Sequence, residues 1–140
     1  MTTIHDQLAS LSTILPIFKK FSVDFVYLGG SVIEGTEGWW SDLDIFVYKK
    51  TMRNWTIDEK LDWFRDLDLE IVQALNTEKV DLHILDELPF NIQFDVISKG
   101  KVVYDRADGI IRTDYISWLL PRYYDFKIWH DRMIDEWMEE

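Results

Sequence analysis

Two aspartates separated by one residue, Asp42 and Asp44, stand at the start of an apolar run that continues to Val47. Side chains of a strand alternate between its faces, so these two carboxylates share one face and lie about 7 Å apart. Like charges this close repel each other, and a divalent cation is the usual means of neutralising them. Magnesium, manganese and calcium are the ions that carboxylates suit best. The pair therefore predicts a metal site on a strand.

The segment before the aspartates reads as a strand that ends in a glycine turn. Val23–Leu28 is rich in strand-forming residues, and Gly29, Gly30 and Ser31 follow it. Glycines at such a turn allow backbone N–H groups to approach an anion. Magnesium commonly combines one or two protein carboxylates with the phosphate oxygens of a substrate. Together the turn and the aspartates predict a site for a metal-bound nucleoside triphosphate.

A third carboxylate lies on a later segment with strand-like alternation. Val80, Leu82 and Ile84 fall on one face of this segment, and Asp81 and His83 fall on the other. If this strand neighbours the strand of Asp42 and Asp44, Asp81 completes a three-carboxylate metal site. We expect His83 to be a partly exposed residue of the polar face and not a ligand.

The remaining segments indicate an α+β chain in which helices flank a small sheet. A capping box at Thr56 and Glu59 marks the start of a long helix, and Pro121 is expected to divide a helical C-terminal region. In chain order the predicted supporting elements are a helix over 4–18 with Pro16 inside it, a helix over about 57–75, a short helix after Pro89 that ends at Gly100, a strand over 102–104 and helix from Asp108 onward.

Length, composition and charge narrow the function classes. At 140 residues with 47% hydrophobic content, the chain is expected to form a single domain over 1–140. It contains no apolar run of membrane-spanning length and no cysteine, so we expect a cytoplasmic protein without membrane contact. The net charge of −11 disfavours direct nucleic-acid binding and favours a basic protein partner.

Four stretches of the sequence resemble a known family. They are Gly30-Ser31 followed by Asp42-Leu43-Asp44, then Val80-Asp81-Leu82, Gly100–Tyr104 and Arg122–Phe126. Their types and order are similar to those of the minimal nucleotidyltransferases (MNT) that are paired with HEPN-domain toxins in prokaryotic toxin–antitoxin modules, within the polymerase-β-type nucleotidyltransferase superfamily. The resemblance implies a polymerase-β-like core with a small mixed sheet, flanking helices and a long C-terminal helical segment.

The same resemblance implies a function and a set of site residues. It implies an antitoxin that transfers AMP from ATP to a tyrosine hydroxyl of a HEPN ribonuclease. Asp42, Asp44 and Asp81 correspond to the catalytic carboxylates that bind two Mg²⁺ ions, and Gly30 and Ser31 correspond to the residues that contact the triphosphate. ATP is then the nucleotide donor and the HEPN toxin is the protein partner.

The chain departs from the family pattern after the glycine-serine pair. Relatives commonly carry arginine in this turn, whereas Val32–Glu34 stand here. One hypothesis is that Lys49, Lys50 or a residue of the C-terminal helix supplies the missing cation. Two alternative functions stay open: an antitoxin that neutralises its toxin by binding alone, and a transferase acting on a small molecule such as an aminoglycoside.

Overall fold

A computed structural model describes residues 11–29, 43–77 and 79–139 of the chain. Its elements are α1 (Leu11–Lys20), β1 (Phe25–Gly29), β2 (Leu43–Tyr48), a 3₁₀ turn (Lys50–Asn54), α2 (Ile57–Leu75), β3 (Val80–Ile84), a second 3₁₀ turn (Leu85–Glu87), α3 (Phe90–Lys99), β4 (Lys101–Asp105) and α4 (Ile110–Met138).

The four strands form one mixed sheet in the order β3-β2-β1-β4. β1 pairs antiparallel with both β2 and β4, whereas β2 and β3 run parallel. A parallel pair needs a long crossover, and α2 supplies it between β2 and β3. The α+β fold with a small mixed sheet, flanking helices and a long C-terminal helix is confirmed.

Alternating side chains of the central strands build an apolar layer on each face of the sheet. On one face, residues such as Val26 and Ile45 pack with the buried stripes of α1 and α2. On the other face, Phe25 and Phe46 belong to a second cluster that includes buried residues of α3 and α4. This two-sided burial explains why β1 and β2 are apolar almost throughout, and why β3 alternates more strictly.

The ends of α2 and α3 follow the sequence signals. Thr56 accepts a hydrogen bond from the Glu59 N–H and the Glu59 side chain accepts one from the Thr56 N–H, so the predicted capping box is present. Gly100 caps the C-terminal end of α3, and an added Cβ there would lie 2.5 Å from the Val96 carbonyl oxygen and 2.9 Å from that of Leu28. Only glycine allows this close approach between α3 and β1.

The helix α4 is continuous from Ile110 to Met138, with Pro121 inside it. The prediction that Pro121 divides this region is therefore wrong. A proline removes one backbone hydrogen bond from a helix, and contacts of the residues next to Pro121 hold α4 in place on both sides of it. The Arg122 side chain donates to the Trp118 carbonyl at 2.7 Å, and the Tyr123 ring stacks on Phe94 of α3 at 3.9 Å.

One buried carboxylate joins three strands at one end of the sheet. Asp24, just before β1, accepts from the Lys50 N–H at 2.8 Å and from the Arg106 guanidinium at 2.6 Å. These contacts connect the start of β1 to the segments that follow β2 and β4.

Among the described residues, none of the helices combines the length and the apolar character that a membrane crossing needs.

Candidate active site

The parallel pairing of β2 and β3 brings two of the predicted carboxylates together. Asp44 of β2 lies directly opposite Asp81 of β3 in the strand register. Residues opposite each other on neighbouring strands point to the same face of the sheet. The adjacency of these two strands, which the alternation pattern only suggested, is confirmed.

His83 joins the two carboxylates. It lies two residues after Asp81 on the same face of β3, and its Nε2 atom is 3.4 Å from Oδ1 of Asp44. One ligand atom from each of Asp44, Asp81 and His83 lies within 4.8 Å of the others. The expected partial exposure of His83 is confirmed at 35% of the side chain, but its contact with Asp44 was not predicted. The i, i+2 spacing of Asp81 and His83 was the available signal.

Negative charge determines the electrostatics of this cluster. The hydrogen bond to Asp44 raises the pKa of His83, and the nearby charges of Asp44 and Asp81 add to that effect. Partial burial of the imidazole opposes the shift without overcoming it. The site therefore favours positive charge next to its carboxylates.

The His83 ring of the cluster stacks on an aromatic ring of β2. The His83 ring lies on the Phe46 ring with centroids 5.0 Å apart and an interplanar angle of 20°. The Phe46 ring in turn occupies the space beside Gly29, because a Cβ there would lie 2.9 Å from Phe46 Cε2. The absent side chain at Gly29 thus makes room for the ring that positions His83.

The donor atoms of this cluster fit a hard divalent cation. Two carboxylates and one imidazole supply ligand atoms within 4.8 Å of one another, and Asp81 is exposed to solvent. Oxygen-rich sets of this kind suit magnesium or manganese better than a soft metal. Within the described residues, this is the group of acidic and histidine side chains that could hold such an ion.

Three of the predicted site residues, Gly30, Ser31 and Asp42, lie outside the described residues. Gly29, which precedes Gly30 in the sequence, pairs with Asp44 at the end of β1. The described chain therefore leaves β1 beside the carboxylate cluster. The roles predicted for Gly30, Ser31 and Asp42 stay predictions.

The lysines proposed to replace the missing arginine lie at the other end of the sheet. Lys49 follows the end of β2 and is five residues from Asp44, which corresponds to about 17 Å of extended strand. Its ammonium donates to the Ser22 carbonyl at 2.9 Å, and the Lys50 N–H donates to Asp24. Because β2 runs away from the carboxylate cluster toward Lys49 and Lys50, the hypothesis that one of these lysines replaces the missing arginine is wrong.

Comparisons with known proteins agree with this geometry. The family model described as polymerase beta nucleotidyltransferase matches residues 12–109, a range that contains Asp42, Asp44 and Asp81. A search of curated protein sequences found no match.

Similar solved structures come from toxin–antitoxin complexes. A chain in a crystal structure of a toxin–antitoxin with AMP-PNP superposes with a TM-score of 0.70 at 22% identity, covering 91% of this chain and 97% of that one. A chain from the complex of tri-AMPylated Shewanella oneidensis HEPN toxin with MNT antitoxin gives 0.63 at 20% identity, with coverage of 94% and 98%. A chain of the MntA-HepT toxin–antitoxin gives 0.61 at 19% identity, with coverage of 94% and 98%.

These likenesses establish a shared fold over nearly the whole length of both chains. The match of the family model over more than half of the sequence shows in addition that this chain belongs to the polymerase beta nucleotidyltransferase family.

Proposed function

We propose that this chain is an antitoxin that transfers AMP from ATP to a tyrosine hydroxyl of a partner HEPN toxin. The observation that carries the proposal is the cluster of Asp44, Asp81 and His83 at the end of a nucleotidyltransferase sheet. Similar chains come from a structure of a toxin–antitoxin with AMP-PNP and from a complex of tri-AMPylated HEPN toxin with MNT antitoxin. These structures support the choice of nucleotide and of acceptor. The net charge of −11 agrees with a protein partner and not with nucleic acid.

The residues of the cluster would hold Mg²⁺. Asp44 and Asp81 supply carboxylates from neighbouring strands, and Asp42 would add a third by its spacing in the sequence. When bound, a pair of such ions neutralises charge on the phosphates and lowers the pKa of an attacking hydroxyl. Gly30 and Ser31 would contact the triphosphate through backbone N–H groups and the serine hydroxyl.

The transfer exchanges a phosphoanhydride bond of ATP for a phosphoester bond to tyrosine. The tyrosine oxygen bonds to the α-phosphorus, the bond from that phosphorus to the oxygen shared with the β-phosphate breaks, and pyrophosphate leaves. The phenolic proton must be accepted nearby. Asp81 is the exposed carboxylate of the cluster and would accept a hydrogen bond from the incoming hydroxyl. His83 would keep the Asp44 carboxylate in position through its contact with that group.

A second function, neutralisation by binding alone, rests on one observation of its own. The second half of α4 carries large exposed apolar side chains, among them Trp129, Met133 and Trp137. These residues fall at helical spacing on one stripe and could hold a partner without catalysis. The departure at Val32–Glu34 from the family's arginine also favours this alternative.

Intact-mass spectrometry of the partner distinguishes the two functions. A HEPN protein that co-purifies with this chain, or that a neighbouring gene is found to encode, is incubated with the chain, ATP and Mg²⁺. We expect mass increments equal to AMP with the wild type and with Asp114→Asn, an exposed carboxylate on α4. The increments should be absent with Asp44→Asn. A stable complex without any increment would instead establish neutralisation by binding.

A further inference from the structure

The outer edge of β3 is open to pairing. Within residues 11–29, 43–77 and 79–139, β3 has β2 as its one neighbouring strand. The Lys79 carbonyl accepts from the Leu43 N–H of β2. Backbone groups of successive residues alternate between the two sides of a strand. The backbone N–H and C=O groups of Asp81 and His83 therefore also point toward β2. The N–H and C=O groups of Val80 and Leu82 therefore point to the open edge.

An apolar groove runs along this edge. Its volume is about 430 Å³, and it lies between β3 and the first half of α2. The apolar side chains that line it are Ile57, Leu61, Phe64, Leu82, Ile84 and Leu88. Leu61 is 61% exposed and Ile57 is 76% exposed, although a leucine and an isoleucine on a core-facing helix are usually covered. The groove thus offers apolar contacts beside backbone groups of β3 that pair with no strand of the described part of the chain.

The groove and the candidate active site share the residue His83. His83 lines the groove and also contacts Asp44 of the carboxylate cluster. Lys60, the cation among the lining residues, is already paired with Glu87 at 3.0 Å. The carboxylates of Asp44 and Asp81 beside His83, together with the net charge of −11, favour a cationic occupant.

We propose that the segment of the acceptor protein that carries the modified hydroxyl binds here as an added strand along the open edge of β3. This inference rests on the proposed function. Open backbone groups recognise an extended peptide, and the groove accepts its alternate apolar side chains. Basic residues of the segment complement the charge of the site.

The register of such a strand explains how the hydroxyl reaches the cluster. A side chain directly opposite Asp81 on an added strand projects from the same face of the sheet, with its Cβ about 5 Å from that of Asp81. This is the face on which Asp44, Asp81 and His83 lie. Side chains before and after it point to the other face, toward Leu82 and the groove. One extended segment thereby satisfies both the groove and the active site.

Two exposed leucines on α2 provide a matched pair of variants. Leu61 lines the groove, whereas Leu69 is 54% exposed on the same helix and does not line it. Steady-state AMP transfer to the HEPN partner is measured for the wild type, Leu61→Asp and Leu69→Asp, with thermal unfolding to check that all three fold. We expect Leu61→Asp to raise the KM for the partner about tenfold or more, because a charge then faces the apolar side chains of the segment. The KM for ATP should stay unchanged, and Leu69→Asp should behave as the wild type.

A cross-linking experiment tests the location directly. The chain has no cysteine, so Leu61→Cys and Leu69→Cys can each carry a single thiol-linked benzophenone. Position 61 should cross-link to the partner segment that contains the AMP-modified residue, and position 69 should not. An equal KM for the two aspartate variants, or cross-links to that segment from position 69 alone, would overturn the inference. A wild type that transfers no AMP would instead count against the proposed function.

Discussion

The ring of His83 stacks on the ring of Phe46, and the Phe46 ring fills the space where a side chain at position 29 would stand. His83 in turn contacts Asp44. A continuous series of contacts therefore links the last residue of β1 to a carboxylate of the candidate active site. Backbone geometry at Gly29 and the chemistry at Asp44 are coupled through two aromatic rings.

Gly29→Ala should impair the site through this series of contacts. The added Cβ would lie 2.9 Å from Phe46 Cε2, so the ring has to move and His83 has to move with it. We expect a destabilisation of about 1–3 kcal/mol and a clear loss of AMP transfer. Urea unfolding measures the first effect, and the intact-mass assay measures the second.

A double-mutant cycle isolates the ring contact. Phe46→Leu removes the ring, so Gly29→Ala should cost less in that background than in the wild type. Equal costs in both backgrounds would show that the alanine acts elsewhere, for example by distorting β1.

Divalent cation should stabilise the wild type and not Asp81→Asn. Without metal, the facing carboxylates of Asp44 and Asp81 repel each other, so removing one charge should leave the stability unchanged or slightly higher. A cation that binds the folded state raises stability in proportion to the logarithm of its concentration above Kd, by about 2.7 kcal/mol at 100 times Kd. Thermal unfolding with Mn²⁺ or Mg²⁺, and after chelation, gives the comparison. An equal rise in Tm for Asp81→Asn and the wild type would contradict a role of Asp81 in metal binding.

The sequence predicted the elements of this site better than their contacts. Alternation in Val80–Ile84 placed Asp81 and His83 on one face because the strand period depends only on neighbouring residues. Which residue of β2 stands opposite Asp81 depends on strand pairing across α2, and no local pattern reports that register. The contact between His83 and Asp44 was missed for this reason.

The same distinction explains the two corrections. The effect of Pro121 depends on Arg122 and on the stacking of Tyr123 against Phe94, and the latter contact belongs to the tertiary structure. The place of Lys49 relative to the site depends on the direction of β2 within the sheet. Local composition carries neither piece of information.

The pair of Asp105 and Arg112 should make stability depend on pH in the acid range. Burial acts to raise the pKa of Asp105, but hydrogen bonds from Arg112 at 2.9 Å and from the Gly109 N–H outweigh it, so the pKa is lowered. A carboxyl group with a lowered pKa stabilises the fold above its unfolded pKa of about 3.9, and this contribution is lost as the pH falls through the folded value.

The variant Asp105→Asn tests this contribution. At neutral pH it should be less stable than the wild type by about 1 kcal/mol. The difference should shrink as the pH falls below the unfolded pKa of about 3.9 and through the lower folded pKa, because the wild-type carboxyl then becomes protonated in both states. Urea unfolding at a series of pH values measures it, and a difference that stays constant with pH would contradict the prediction.

Removal of the second half of α4 should cost little stability. The fully buried residues of this helix, Tyr115 and Leu119, lie in its first half, whereas Trp137 is 78% exposed. A chain that ends after Asp125 should unfold within about 1 kcal/mol of the full chain. Leu119→Ala, in contrast, should cost about 2–5 kcal/mol because it creates a cavity in the core. Urea unfolding of both variants decides whether the second half of α4 contributes to the fold.

The parallel pairing of β2 and β3 has a consequence for how the protein acquires its activity. The two carboxylates belong to strands that α2 separates along the chain, so neither strand alone can bind a cation with both. Strands that are distant in the sequence pair slowly, because the long segment between them must close into a loop before they meet. Binding of a cation by both carboxylates would therefore report that β2 and β3 have paired, and a chain still being synthesised that has not reached β3 would lack this site.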